Sequence, residues 1–543
     1  EKIVIFLLLT IALLALIFWL GKIYLSVTKE VPTFGGTYIE GVIGQPMYIN
    51  PLLSQTNDAD EGLTRLVYSG LLRYNKDGEL INDLADSYQI SQDGKEYTFH
   101  LRKNIRWHDD KNFTADDVIF TIKTLKDPLF KSPLRQNWKG VKVEKVDDFT
   151  VKFLLEKPYF GFLENLTVGI LPEHIWGNIK PDKFPLAKYN LEPIGTGPYK
   201  YSTFHKDSDG NILDYELISF DNYFDGKPYI SKILFNFYAN KDSEIDAYNK
   251  KEISGIGNLS AEDADLAKFR KNSRLYEMEI PWLFTVFFNK TKNVPLANKE
   301  VREALALATN KQEIIDKVLY GKGIVVDSPF FPGTAEYDEN ANKIKFNEEK
   351  AKKVLDDAGW KVGNDGIREK DGTKLEFKIL TINTPDLVKT IDLLQKQWEK
   401  IGAKVETEAL SFADIQQNHI RPREYDALLV GQDINFNVDP YSFWHSSQKR
   451  DPGLNWALFD NKEADKIIEN ARQENDKGKR VQEYHRFQEI IANEIPAIFL
   501  FSPKYLYLVD GNIKGIDAEK INSPQWRFVD INKWFIKTKR VRK

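Results

Sequence analysis

Residues 84–125 read LADSYQISQDGKEYTFHLRKNIRWHDDKNFTADDVIFTIKTL, and the period of their side chains changes partway along. Over 97–101 apolar and polar residues alternate, as in a half-buried strand, and Asp93-Gly94 just ahead supplies a hairpin turn. Beyond Trp107-His108-Asp109-Asp110 the period lengthens. Phe113-Thr114-Ala115-Asp116-Asp117 opens a helix. Thr114 is a suitable N-cap, and Asp117 at N3 can meet exposed backbone N–H groups and the helix dipole. Val118, Ile119, Ile122 and Leu125 follow at helical spacing. Residues 141–146 and 149–155 form a second alternating pair, turned by Asp147-Asp148.

Outward from this stretch, GGTYIEGV (35–42) reads as a strand entered through two glycines. Residues 60–75 read as a helix with Leu63, Leu66, Val67 and Leu71 on one face. A block over 195–280 is rich in Tyr, Phe and Asn, with strands at 212–217 and 233–238. The texture changes near Asn293. Residues 298–319 read as two helices divided at Thr309-Asn310, and 347–358 as a helix stopped by Gly359. A strand at 375–382, a helix at 386–401 and a strand at 425–430 give an α/β order. Helices at 462–474 and 477–493 precede short strands at 498–501 and 505–509. The basic end KTKRVRK (537–543) reads as a solvated tail, with contact to an anionic surface as the alternative.

Composition narrows the function classes. The chain has 543 residues, room for about three domains, with 42% hydrophobic and 29% charged residues. Its net charge of −4, from 76 Lys+Arg against 80 Asp+Glu, offers no basic surplus for a nucleic-acid surface. No Cys is present, which excludes disulfides, thiolate metal sites, thiol nucleophiles and a lipid-modified cysteine. None of the seven His lies in an H-E-x-x-H pair or a short-spaced ligand cluster, and no G-x-S-x-G elbow, P-loop or dinucleotide fingerprint occurs. Gly195-Thr196-Gly197 is followed by Pro198, which suits a rigid turn better than a phosphate cradle. These features argue against an enzyme and against a cofactor.

Residues 3–21, IVIFLLLTIALLALIFWLG, are uncharged between Lys2 and Lys22. About 20 apolar residues span a bilayer, whereas a cleaved signal has an apolar run of only about 7–15. Ser26-Val27-Thr28 is a poor cleavage site, and Trp19 and Tyr24 fall near the expected interface. The segment therefore reads as an uncleaved single-pass anchor in the cell membrane, followed by a linker over 22–32, with the soluble body on the extracytoplasmic side. A cleaved signal is the alternative.

Residues 84–125 closely resemble the signature of the family 5 solute-binding proteins of ABC importers, which include dipeptide- and oligopeptide-binding proteins. The matching positions are Ala85, Tyr88, Asp93-Gly94, Tyr97-Thr98-Phe99, Leu101-Arg102, Trp107-His108-Asp109, Phe113-Thr114-Ala115 and Asp117-Val118. Asp110 stands where the family usually has Gly, a turn position that takes Asp. Gly195-Thr196-Gly197-Pro198-Tyr199 is similar to the family's G-T-G-P-Y turn. Asn222-Tyr223-Phe224 with Lys227-Pro228-Tyr229-Ile230, Phe288-Asn289, Val301-Arg302-Glu303-Ala304-Leu305 and Asp439-Pro440 continue the likeness over about 35–530.

The resemblance implies an α/β, periplasmic-binding-protein-like class II fold: two lobes with a hinge and an inserted third subdomain, behind a transmembrane helix. Lobe I would comprise 33–55, 194–285 and 497–536, inserted subdomain II 56–193, and lobe III 286–496. It further implies a monomeric binding component that closes on short peptides and delivers them to ABC permease subunits driven by cytoplasmic ATPases, with the lipid bilayer its other partner. An oligosaccharide, a nickel chelate or an opine-like amine as cargo, or a non-transporting ligand sensor, are the alternatives; His419 and His445 are the histidines considered for nickel. In peptide-binding relatives an aspartate after a late strand receives the ligand's α-amino group, and Asp433 occupies the matching place. Where relatives often carry Trp ahead of it, this chain has Val430-Gly431. Trp282 near the lobe junction, and Phe436 and Tyr441 beside Asp433, are candidate walls; Arg423, with Arg421, is a candidate for a ligand carboxylate. Trp444 and His445 suit core or surface duty better.

Overall fold

The 14-residue strand Ala497–Asp510 sets the layout of the computed structural model, which describes residues 2–266, 268–341, 343–436 and 439–543. Its first part pairs antiparallel with Trp282–Phe288, and its last part with Ser273–Glu279. These two partners are one run of chain broken only at Ile280-Pro281, so two extended segments cross side by side between the halves of a 12-stranded sheet. Each carries a proline at the crossing, Pro281 and Pro503, where the ladder changes partner and a missing N–H costs least. Ser502 Oγ donates to the Ile280 carbonyl at 2.8 Å, tying the crossings together. Two short strands were expected here; Ser502-Pro503 interrupts the alternation without ending the strand. The expected boundaries at 285/286 and 496/497 fall within or at the end of paired strands, and the change of partner lies nearer 281 and 503.

On one side the sheet continues through Ala427–Asp433, Glu376–Ile382 and Lys404–Leu410. The last two are parallel and joined by the helix Pro385–Glu399, with Pro385 where the first turn needs no N–H donor. That helix buries Leu387, Ile391, Leu394 and Trp398 against the sheet. On the other side come Gly255–Ile256, Thr37–Ile43, Lys232–Tyr238, Ile212–Ser219 and Tyr199–Lys206. Glu40, fully buried, accepts from Tyr38 Oη, from Tyr507 Oη at 3.0 Å and from Arg527 Nε at 2.9 Å. That cluster locks the 3-10 turn Pro524–Phe528 onto the sheet.

The 84–125 stretch lies in a separate four-stranded sheet, ordered Ala85–Ile90, Glu96–Leu101, Thr150–Leu155 and Val141–Asp147. The helix Ala115–Lys126 has the expected capping box: Asp117 accepts from the Thr114 N–H at 2.9 Å. Asp117 also accepts from Glu173 N–H at 2.9 Å, so the cap anchors a second loop. His108 joins this sheet to the G-T-G-P-Y turn. Its Nδ1 accepts from Gly195 N–H at 3.2 Å, and its Nε2 donates to the Gly197 carbonyl at 3.0 Å. Asp110 adopts φ 65°, the left-handed conformation that explains glycine at this place in the family.

Three expectations are corrected. The helix read over 60–75 is Asp58–Val67, and Leu72–Tyr74 is a strand. Tyr68 ends it, its backbone turning extended after its N–H donates to the Thr64 carbonyl, and at Gly70 beyond it a Cβ would sit 2.8 Å from the Leu166 carbonyl. The 22–32 linker is not a free link: the apolar helix runs Lys2–Val27 and passes directly into the strand Thr28–Thr33. Nor is 537–543 a solvated tail, since Lys537–Arg542 pairs antiparallel with that strand. Arg540 closes the ribbon, donating to Thr28 Oγ1 at 2.9 Å and Glu30 Oε1 at 3.2 Å. The helix is fully exposed, with a mean hydropathy of 3.1 over its most apolar window. At about 1.5 Å per residue its 26 residues exceed the hydrocarbon core.

Candidate functional site

Ala427–Asp433 lies inside the sheet, parallel to Glu376–Ile382 and antiparallel to Trp282–Phe288. Its first four residues are buried, and alternation then turns Asp433 outward at the strand's end. In an open α/β sheet such ends are where ligand groups gather. Asp433 lies directly across from Trp282, the first residue beyond the Pro281 crossing. Asp433 is exposed at the strand end, yet the protein packed around its carboxyl disfavours the charge and lifts its pKa to about 6, against the pull of the Asn435 N–H and the Trp282 indole. Gly431 lies across from Phe284, whose ring would be 3.0 Å from a Cβ there, so Phe284 fills space beside the glycine.

A cavity of about 290 Å3 opens beside this edge. One wall is the polar face of the helix Asp58–Val67 with the residue after it: Glu61, Thr64, Arg65 and Tyr68. Those positions follow the i, i+3, i+4, i+7 spacing of one helix face. A second wall is the segment 522–526, with Asn522 and Trp526. Tyr74, Trp138 and Asn435 close other sides. Glu61 feels the charge of Asp433: burial first, then Asp58 and Asp433, raise its carboxyl to about 7. Glu61, on the cavity wall, and Asp433, beyond it, therefore lie near enough for their charges to repel. Arg65 stands elsewhere, its guanidinium 4.0 Å from the Trp526 ring. Tyr68 Oη, Thr64 Oγ1, Asn522 Nδ2 and Arg65 Nε are buried with no hydrogen-bond partner. Such an arrangement suits a polar ligand carrying a cationic group.

The sequence model of the bacterial extracellular solute-binding proteins, family 5 (middle), matches residues 79–453. The chain belongs to this family. It is 30% identical over 523 residues to the oligopeptide-binding protein AppA of Bacillus subtilis (strain 168), spanning 93% of this chain and 92% of that one. The AppA structure, in complex with a nonapeptide, aligns with a TM-score of 0.73 at 29% identity, covering 93% and 100% of the two chains. The dipeptide-binding protein of Escherichia coli (strain K12) is 26% identical over 94% of this chain and 98% of its own length. NikZ of Campylobacter jejuni, in complex with Ni(L-His), aligns with a TM-score of 0.75 at 28% identity, covering 92% and 99%. The expected family and its mixed α/β binding-protein fold are thus confirmed.

Family-based site residues scatter more than expected. Asp433 and Trp282 come together across the strand pair, but neither lines the cavity; Asn435, two residues on, does. Phe436 lies one step back: its N–H donates to Asn522 Oδ1 at 3.2 Å, and its ring meets Phe331. Tyr441 turns elsewhere, stacked on His445 at 4.3 Å and covered by Arg472 at 4.2 Å. Arg472 also pairs with Asp439 at 2.8 Å, so the Asp439-Pro440 pair serves this cluster. Arg423 does not reach the cavity. Its guanidinium donates to the carbonyls of Lys449, Ile420 and Gly453 at 3.0, 2.5 and 2.6 Å, leaving little to offer a ligand. Trp444 is buried against Phe287 and Phe499. The helix 58–67 wall and segment 522–526 were missed. The signal available was the polar set Glu61, Thr64 and Arg65 beside the apolar face of Leu63, Leu66 and Val67, and only the apolar face was read.

Proposed function

We propose that the protein is the extracytoplasmic receptor of an ABC importer for short peptides, held at the membrane by the helix Lys2–Val27 and carrying out no reaction of its own. The observation that carries this reading is Asp433: a carboxylate at a strand end, beside the Trp282 indole and near enough to Glu61, on the cavity wall, for its charge to be felt there. An ammonium placed there gains a charge-assisted bond that strengthens as the lobes expel water. The sheet halves joined at 280–281 and 502–503 act as the two lobes, and the 84–155 sheet belongs to a third subdomain beside them. Likeness to AppA and to the Escherichia coli dipeptide-binding protein supports a peptide cargo. The monomer hands its ligand to permease subunits powered by cytoplasmic ATPases.

A nickel chelate is the second reading, on the likeness to NikZ. His419 and His445 have other partners: His419 meets the Glu424 carbonyl, and His445 meets Ser447 and Glu469. Among the described residues no group of three metal-ligating side chains comes together.

Native mass spectrometry of the gently purified full chain, followed by denaturation, tests the cargo. Released masses differing by amino-acid residues, and absent from Asp433→Ala, support peptide uptake. Hexose-spaced masses or nickel in the released fraction contradict it.

A further inference from the structure

We propose that the ribbon of Thr28–Thr33 and Lys537–Arg542 is a docking surface for anionic phospholipid headgroups, so that the body rests on the bilayer as well as hanging from it. This rests on the membrane-anchor reading above and adds a second, electrostatic contact to it.

The rise of the helix sets the depth of the ribbon. The uncharged run 3–21 is about 28 Å long at about 1.5 Å per residue. That is close to the hydrocarbon thickness of about 30 Å, so Lys22 marks its outer boundary. Residues 23–27 then rise about 8 Å, roughly the depth of one headgroup layer. The ribbon therefore starts where headgroups meet water. Thr28, the first residue past the helix, pairs with Arg542, and the Lys543 N–H donates to the Val27 carbonyl at 2.9 Å. Arg540 reaches further back. It donates to the Leu25 carbonyl at 3.3 Å and lies 5.8 Å from the Tyr24 ring, inside the headgroup layer.

Charge collects at this level. Residues 22–33 and 537–543 hold seven Lys and Arg against Glu30 alone, in a chain whose net charge is −4. Arg540 pairs with Glu30 at 3.2 Å and so cancels the one acid. Lys29, Lys539, Arg542 and Lys543 are exposed and, among the described residues, make no ion pair. The positive-inside tendency does not account for them, since it acts on Lys and Arg close to a span in sequence. Five of the seven arrive instead by pairing with a segment 512 positions away. Strand alternation puts Lys29 and Lys539 on one face of the ribbon and Arg542 on the other. A protein partner covers one face, whereas a headgroup layer surrounds the base of the ribbon and meets both.

Reach supplies an internal control. Each Lys or Arg beside an anionic bilayer strengthens attraction about fivefold, and the effect fades within a Debye length of about 8–10 Å. Lys537 is exposed and carries the same charge, but it lies five residues from Arg542, about 17 Å along the strand. Its Nζ sits against the body, 3.2 Å from where a Cβ on Gly35 would be.

Electron spin resonance on the full chain in phosphatidylcholine vesicles tests the assignment, with spin-labelled phosphatidylglycerol and spin-labelled phosphatidylcholine as probes. Wild type is expected to hold phosphatidylglycerol about fivefold more strongly, with the preference gone at about 1 M salt, where the Debye length is about 3 Å. The triple variant Lys29→Gln, Arg542→Gln, Lys543→Gln should lose most of that preference, and Lys537→Gln should keep it. A triple variant that floats with the vesicles, melts like wild type and retains the full preference overturns the proposal. So does a wild type that floats with the vesicles but holds both lipids equally, which decides the matter even if the variant fails to fold and turns the ribbon over to a protein partner; the anchor reading then stands. If wild type does not float with the vesicles, the anchor reading falls and this assignment falls with it.

Discussion

Asp433 is costly to keep ionised at its strand end. Its folded pKa of about 6 lies above the ordinary 3.8, so between those values the folded chain holds a proton that the unfolded chain has released. The group's contribution to stability therefore falls as pH rises through that window. Asp433→Asn is expected to raise the melting temperature of the ligand-free protein at about pH 8, where the carboxylate is fully ionised. The same ionised form is what an ammonium needs. Peptide affinity in wild type should drop as pH falls through 7 and 6, the values of Glu61 and Asp433, and titrations across that range read it directly. His108 carries the opposite sign. Burial depresses it to about 4 from 6.5, so the unfolded chain binds more protons between those values and stability is lost as pH falls. The loss approaches about 3 kcal/mol, and denaturant melts of His108→Ala should show that part of the slope gone. Asp433 was legible because a strand end and a family motif coincide on it. Glu61 and Arg65 were not, because a polar helix face has the same spacing whether it borders water or a cleft.

At the scale of elements, the wall that carries Glu61 and Arg65 is set by two glycines far from it in sequence. A Cβ on Gly195 would lie 1.9 Å from the Val67 carbonyl, and Gly197 N–H donates to that same oxygen at 2.8 Å. The G-T-G-P-Y turn is thus a seat for the end of the helix Asp58–Val67. Gly195→Ala is expected to cost about 3 kcal/mol or more by chemical denaturation. If it folds, it should also weaken peptide binding, because the displaced helix carries the cavity's charges. The signature stretch was legible element by element: alternation, the Asp93-Gly94 turn and the Thr114–Asp117 cap are local, and each appears where its chemistry places it. The overlong helix at 60–75 failed at Tyr68, whose extended backbone leads into a close approach of Gly70 to Leu166 and Thr167 that no local pattern announces.

At the scale of the molecule, the chain's two ends meet. Thr28–Thr33 pairs with Lys537–Arg542 where the apolar helix stops, a contact between residues 512 positions apart. Pairing over that distance leaves no trace in either segment, which is why a linker and a tail were expected. Removing 2–27 is expected to release the body from the detergent phase in a phase-partition assay, while the full chain stays in it. The class of fold was legible from composition and signature, whereas the crossings at Pro281 and Pro503 emerge only once the long strand is seen to serve both halves of the sheet. Those crossings place Trp282 and Asp433 beside the junction, and the proposed function has them meet a ligand's charged end there. Calorimetric titration of the full chain with a free tripeptide and its N-acetyl form tests this most directly. Tight binding of the free amine and at least tenfold weaker binding of the acetylated peptide, with the difference abolished in Asp433→Asn, is the expected result. Equal affinity for the two peptides in wild type would contradict it.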